Sequence, residues 1–195
     1  GPFWKASRPG SDATVDFGLV RQSVPASFQF IQASDTHISE SSLARMNKFR
    51  TIVDSVTPAL VLITGDLVKD ALRVPEEEAI KLYELFRAES GKIKNAVRLV
   101  PGNHEIFGIE RDRSGVSASH PMYGRAMYRH YRGPDYYSFN AGGMHFVGLN
   151  SVDIDDSDLY AIMGGIEEHF GHPAHLPRAG DPDEIVFALD AAHQR

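Results

Sequence analysis

The sequence predicts an α/β domain built on a parallel sheet in β-α-β-α-β order, and three observations predict it. Short β-prone runs alternate with helical stretches of ordinary length. The middle run, ALVLIT at 59–64, is apolar on both sides, as a strand covered on both faces of a parallel sheet must be. Each of the three runs stops abruptly at polar residues: Asp35-Thr36-His37, Gly65-Asp66, and Gly102-Asn103-His104-Glu105.

Residues 1–23 mix Pro, Gly, Ser and Asp without sustained periodicity and read as an irregular lead-in, with one edge strand at ATVDFGLV and with Phe3-Trp4 packed on the body. The domain itself is placed at 24–195. SFQFIQAS at 27–34 alternates apolar and polar residues, the period of a strand. Over 41–56, Leu43, Met46, Phe49, Ile52, Val53 and Val56 share one helical face, with Ser41 or Ser42 as cap and Thr57-Pro58 as stop. A second helix over 75–89 starts on Pro75 and three glutamates, which suit the positive end of the helix dipole, and Gly91 ends it. AVRLV at 96–100 is the third strand. YYSFNA at 136–141 and MHFVGLN at 144–150 flank Gly142-Gly143 and read as a tight hairpin.

Composition bounds the function. Lys plus Arg number 20 against 26 Asp plus Glu, a net charge of −6 that argues against a nucleic-acid partner bound through its phosphate backbone. No apolar run approaches the ~18 residues of a membrane span, so no membrane association is expected. The chain has no cysteine, which excludes disulfides, thiolate metal sites and a cysteine nucleophile. It opens on Gly1-Pro2 rather than Met, which resembles a start left by processing or protease cleavage and is compatible with a signal peptide already removed, so the native N-terminus is not read from it.

In a parallel sheet, ligand sites form at the carboxyl ends of the strands. All three ends here carry hard oxygen or imidazole donors. None carries a glycine-rich phosphate loop or a serine elbow. Carboxylate oxygen, imidazole nitrogen and amide carbonyl suit Mn, Fe, Co, Ni or Zn. Glycine before Asp66 and before Asn103 lets the backbone turn sharply and present the side chain. Any one of these motifs alone is a turn or a cap; in this order, each closing an apolar run, they point to one metal site.

The ordered set D-x-H (Asp35, His37), G-D (Gly65, Asp66) and G-N-H-E (Gly102 to Glu105) resembles the calcineurin-like metallophosphoesterase family. The likeness covers residues 27–155, and MYRHYRGPDYYSFNAGGMHFVGLNSVDID is similar to the segment preceding the central helix in exported bacterial phosphohydrolases of this type. The resemblance implies an exported location, a four-layer α/β/β/α sandwich and a site for two metal ions. By the same resemblance Asp35 and His37 bind the first ion, Asp66 bridges both and Asn103 binds the second. A metal-bound hydroxide is then the nucleophile on a phosphorylated small molecule, a monoester or a diester. His104 lies just outside the coordination shell as proton donor. Family members often orient that histidine with an acid three residues after the bridging aspartate; here that position is Lys69, and Asp70 follows as the expected partner. Glu105 is expected to support the loop through hydrogen bonds.

The family adds further histidines after a later strand and in a G-H-x-H pair. The chain offers GHPAH at 171–175, in a stretch rich in Gly, Pro and Asp that reads as a loop; His169, His172 and His175 are the candidate replacements. His145 reads as structural, and His120 and His130 as candidate substrate contacts. FALDAAHQR at 187–195 reads as the start of a central helix. On this reading the domain lacks its last ligands, binds metal weakly by itself and leaves an apolar sheet face for a second copy or a missing C-terminal segment to cover. A non-catalytic module keeping the same fold is the alternative.

Overall fold

In a computed structural model, residues 25–150, 152 and 185–189 are described, the last five by their backbone alone. The first sheet is parallel, in the order β1 (Phe30–Ser34), β2 (Leu60–Thr64), β3 (Ala96–Val100). Register pairs Phe30 with Leu60 and Leu60 with Ala96, so the three carboxyl ends finish side by side. Helices α1 (Leu43–Val56) and α2 (Glu76–Ser90) make the two crossovers, as the helical periods predict. A 3₁₀ turn, Glu40–Ser42, precedes α1; there the Ser42 hydroxyl accepts the Ser39 N–H at 2.8 Å.

The central strand shows why the sheet needs two covers. Val61 and Ile63 face the helices, packing with Met46, Val53, Tyr83 and Phe86. Leu60 and Leu62 face the other way, against Phe146 with Phe28, Phe30 and Phe139. Each fully buried side chain of this size contributes about 1.5–3 kcal/mol. Short helices α3 (Arg111–Ser114) and α4 (Arg125–Arg132) follow β3, and α4 adds Met127 and Tyr128 to the helical side.

The second cover is a second sheet, β4 (Tyr137–Ala141), β5 (Met144–Leu149) and β6 (Ile185–Leu189), with β5 in the middle. The predicted hairpin is present: β4 and β5 are antiparallel around Gly142-Gly143. Gly142 has φ +61°, and a Cβ there would lie 2.1 Å from the Phe28 ring, so any side chain strains the turn and must displace that ring. Phe139 stacks on Phe146 at 5.0 Å, and Phe30 meets Phe146 edge-on at 5.5 Å.

Two expectations are corrected. The apolar face of the first sheet is not left bare; the hairpin folds back over it. Residues 187–189 do not begin a helix but end β6, parallel to β5. Ile185, Val186 and Phe187 are β-branched and aromatic, and pairing with β5 outweighs the helical propensity of the alanines that follow. The described residues thus form three layers, α/β/β, of the four that the resemblance implies. The ATVDFGLV strand, Phe3-Trp4 and the GHPAH loop lie outside them. No helix among the described residues is long and apolar enough to cross a membrane.

Candidate metal centre

The three strand ends are sewn together by backbone. Asp35 N–H donates to the Gly65 carbonyl at 3.1 Å, His37 N–H to Asp66 at 2.8 Å, and Ile38 N–H to Leu67 at 2.9 Å. Gly65 N–H donates to Val100 at 2.8 Å. The Thr36 hydroxyl adds a bond to the Leu67 carbonyl at 2.8 Å. These contacts hold Asp35 (φ +56°), His37 (φ +39°) and Asp66 (φ +48°) in the left-handed region. That conformation costs a non-glycine residue about 1–2 kcal/mol, and it persists only where the surroundings enforce it.

The side chains converge. His104 N–H donates to Asp66 Oδ1 at 3.2 Å. Asp66 Oδ2 then lies 3.5 Å from His37 Nε2 and 3.9 Å from His104 Nε2. Asp35 Oδ1 is 3.7 Å from His37 Nε2. The two imidazoles meet edge to face, with centroids 4.6 Å apart. One donor atom each from His37, Asp66 and His104 lies within 4.8 Å of the other two. Around a divalent ion with bonds of about 2.0–2.2 Å, neighbouring donors sit roughly 3–3.5 Å apart, so a small inward movement would close this group on a cation. Exposure grades from Asp66 (14 %) through His104 (22 %) and His37 (32 %) to Asp35 (61 %), which places Asp66 deepest and Asp35 on the rim. The donor set, nitrogen and carboxylate oxygen without sulfur, fits Mn, Fe, Co, Ni or Zn.

Asn103 stands at the same strand end, half-buried, as the first residue of the 3₁₀ turn Asn103–Glu105. Asp70 is not where sequence reasoning put it. Its carboxylate accepts the Arg73 N–H and guanidinium, each at 3.2 Å, closing a local turn. The partner of His104 Nδ1 is the Lys69 backbone carbonyl at 2.5 Å. A carbonyl only accepts, so the ring proton sits on Nδ1 and leaves Nε2 facing Asp66. No side-chain signal marks a backbone acceptor, which is why the sequence pointed to the neighbouring acid.

Glu105 holds the floor of the site. It is fully buried, and its two oxygens accept the Val68 N–H at 2.9 Å and the Gly102 N–H at 2.6 Å, tying the β2 loop to the β3 loop. Tyr83 donates its hydroxyl to the Glu105 carbonyl at 2.9 Å. Burial pushes the Glu105 carboxyl up to about 8 against the pull of those N–H donors. Elsewhere His145 Nδ1 meets Asn140 Oδ1 at 2.6 Å across the hairpin. His120 packs on Phe107 and lies 3.3 Å from Glu76, and His130 packs edge-on against Tyr131. His169, His172 and His175 lie outside the described residues.

Comparison with known proteins adds the family. No curated protein sequence matches the chain. Among solved structures, one that matches is a dimetal phosphatase from Danio rerio, 14 % identical over 73 % of this chain and 52 % of that one, with a TM-score of 0.45. The chain thus spans about half the length of that phosphatase. The sequence profile of the calcineurin-like phosphoesterases matches residues 28–190, from the residue that packs on Gly142 past the end of β6, and the chain belongs to that family.

Proposed function

We propose that the chain carries a metal-dependent phosphoester hydrolase site acting on a phosphorylated small molecule. The observation that carries this reading is the convergence of His37 Nε2, Asp66 Oδ2 and His104 Nε2 at the joined ends of β1, β2 and β3 in a member of this family. Asp35 and His37 would hold one ion and Asn103 a second, with Asp66 placed to be shared between them. Bound divalent ions supply two things here: they lower the pKa of water toward neutrality and they neutralise charge on the phosphoryl oxygens.

The protein residues do the rest. Asp66 is oriented by the His104 amide, which fixes one oxygen and leaves the other toward the site. His104 is held by the Lys69 carbonyl with Nε2 turned inward, where it can carry a proton to a departing oxygen. Glu105 keeps the two loops at a fixed separation without touching the substrate. The backbone at Asp35, His37 and Asp66 sets the donors before any ion arrives, so little ordering remains to oppose binding.

Elemental analysis and calorimetric titration with manganese, alongside hydrolysis of p-nitrophenyl phosphate, test this. Manganese uptake that is weak but rises toward two ions per chain at saturation, with slow metal-dependent turnover, is expected. Close to zero ions would discard the hydrolase and leave a binding module with the same fold.

A further inference from the structure

Arg45 is in an unusual place for a cation. It lies in the first turn of α1, where the helix dipole is positive and a basic side chain is disfavoured. No acid accompanies it in that turn. Arg50, further along the same helix, pairs with Glu89 at 2.6 Å, and Arg73 below the site pairs with Asp70 and Glu110. Arg45 has no carboxylate partner among the described residues. Its guanidinium instead donates one N–H to the Thr36 carbonyl at 3.1 Å. Thr36 separates Asp35 from His37 and is itself pinned to Leu67. The guanidinium is therefore anchored on the loop that presents two of the site residues.

A guanidinium has five N–H donors in a planar fork. One is used on Thr36, and the group remains exposed with the others available. Such a fork matches two oxygens of a phosphate. Its charge adds to that of the α1 N-terminus beside the loop that carries Asp35 and His37. At neutral pH a phosphomonoester carries close to two negative charges, because its second pKa is about 6, whereas a diester carries one.

We propose that Arg45 is a substrate-binding residue that selects phosphomonoester dianions over diesters. The proposal deepens the hydrolase reading and rests on it. Arg45 takes two phosphoryl oxygens through its free edge while the Thr36 contact keeps the fork in place. It contributes charge and orientation to binding and has no part in bond breaking.

The test compares the native chain with Arg45→Ala and Arg45→Lys, loaded with manganese. Manganese affinity is measured by calorimetry, as is the affinity of inorganic phosphate with and without manganese. KM and kcat are measured on p-nitrophenyl phosphate and on bis(p-nitrophenyl) phosphate. Arg45→Ala is expected to bind manganese as the native chain does and inorganic phosphate about tenfold more weakly, the loss of one charge-assisted contact. KM for the monoester should rise about tenfold with kcat within about threefold, while KM for the diester moves less than about threefold, as expected when binding alone is removed. Arg45→Lys should fall between, since an ammonium keeps the charge and loses the fork. Equal phosphate affinity in the native and Arg45→Ala proteins, or equal KM changes on the two substrates, overturns the proposal. A native chain that takes up no manganese overturns the hydrolase reading instead; Arg45 is then judged by the metal-free phosphate affinities alone, and no difference there overturns it as well.

Discussion

The strand-end loops and the hairpin half of the molecule solve the same backbone problem with different residues. At the hairpin the left-handed positions belong to Gly142 (φ +61°) and Gly143 (φ +83°), where no side chain resists. At the strand ends they belong to Asp35, His37 and Asp66. The carboxylates differ as well. Asp135, before β4, is 2 % exposed and bonded to Arg129 at 2.8 and 3.1 Å and to Asn150 at 3.2 Å. Asp35 and Asp66 face imidazoles and, among the described residues, pair with no lysine or arginine. One half obeys the local rules of folding. The other departs from them at four non-glycine residues: Thr57, which caps the end of α1, and Asp35, His37 and Asp66, which all stand at the candidate site, and departures of that kind concentrate where chemistry is needed.

The largest test removes the convergence and leaves the backbone. Asn tolerates the left-handed region about as well as Asp. Asp66→Asn should therefore fold normally, yet lose at least about a hundredfold in manganese affinity. Turnover of p-nitrophenyl phosphate should fall at least about a thousandfold, close to 4 kcal/mol of barrier. Calorimetry and steady-state rates check this; a variant with native metal affinity would erase the distinction between the two halves. Asp135→Ala should do the reverse. It strands the buried Asn150 amide and takes the buried carboxylate away from Arg129, so unfolding in urea should show a loss of about 3 kcal/mol with manganese affinity per folded molecule unchanged. Gly142→Ala should cost about 2 kcal/mol in the same assay, from the left-handed penalty plus displacement of the Phe28 ring.

How far the sequence carried is itself uneven across these halves. Strand β3 is found at the residues predicted, 96–100, and β2 and both crossover helices are displaced by only one or two residues, because period and punctuation agree there. The grouping of His37 with Asp66 was legible because each motif closes a strand and parallel strands end together. The Lys69 contact was not, since a carbonyl exists at every residue and has no signature. Neither was β6: Phe187-Ala188-Leu189 reads locally as the start of a helix, and only its neighbour β5 decides for strand. The cover over Leu60 and Leu62 was missed for the same reason, being a contact between segments far apart in the chain.

A smaller effect asks whether the whole first half or only its loops is exceptional. Glu89 on α2 is buried and paired with Lys92 at 2.5 Å and Arg50 at 2.6 Å. The Lys92 hydrogen bond, with that from Arg50, holds its carboxyl below the ordinary value near 4.5. A depressed folded pKa gives stability that is present above the unfolded pKa and is lost as pH falls through the folded one. Glu89→Gln should thus cost about 1 kcal/mol at pH 7, with the gap from the native protein closing as pH drops below about 4.5. Metal affinity should not change. If it does, the helices and not the loops alone set the site.

The smallest effect isolates the strain. At an ordinary position alanine is more stable than glycine by about 0.5–1 kcal/mol, because glycine loses more freedom on folding. At φ +56° the order should invert, since alanine retains the left-handed penalty of about 1 kcal/mol and glycine does not. Asp35 is well suited to show this, being 61 % exposed and so losing little packing on truncation. Asp35→Gly should be more stable than Asp35→Ala by about 0.5 kcal/mol in urea unfolding, the difference of those two terms. Both should bind manganese at least about tenfold more weakly than the native chain. Alanine proving the more stable would mean that the loop relaxes once the carboxylate is gone. The strain would then belong to the contact between Asp35 and His37 rather than to the backbone ties that join β1 to β2.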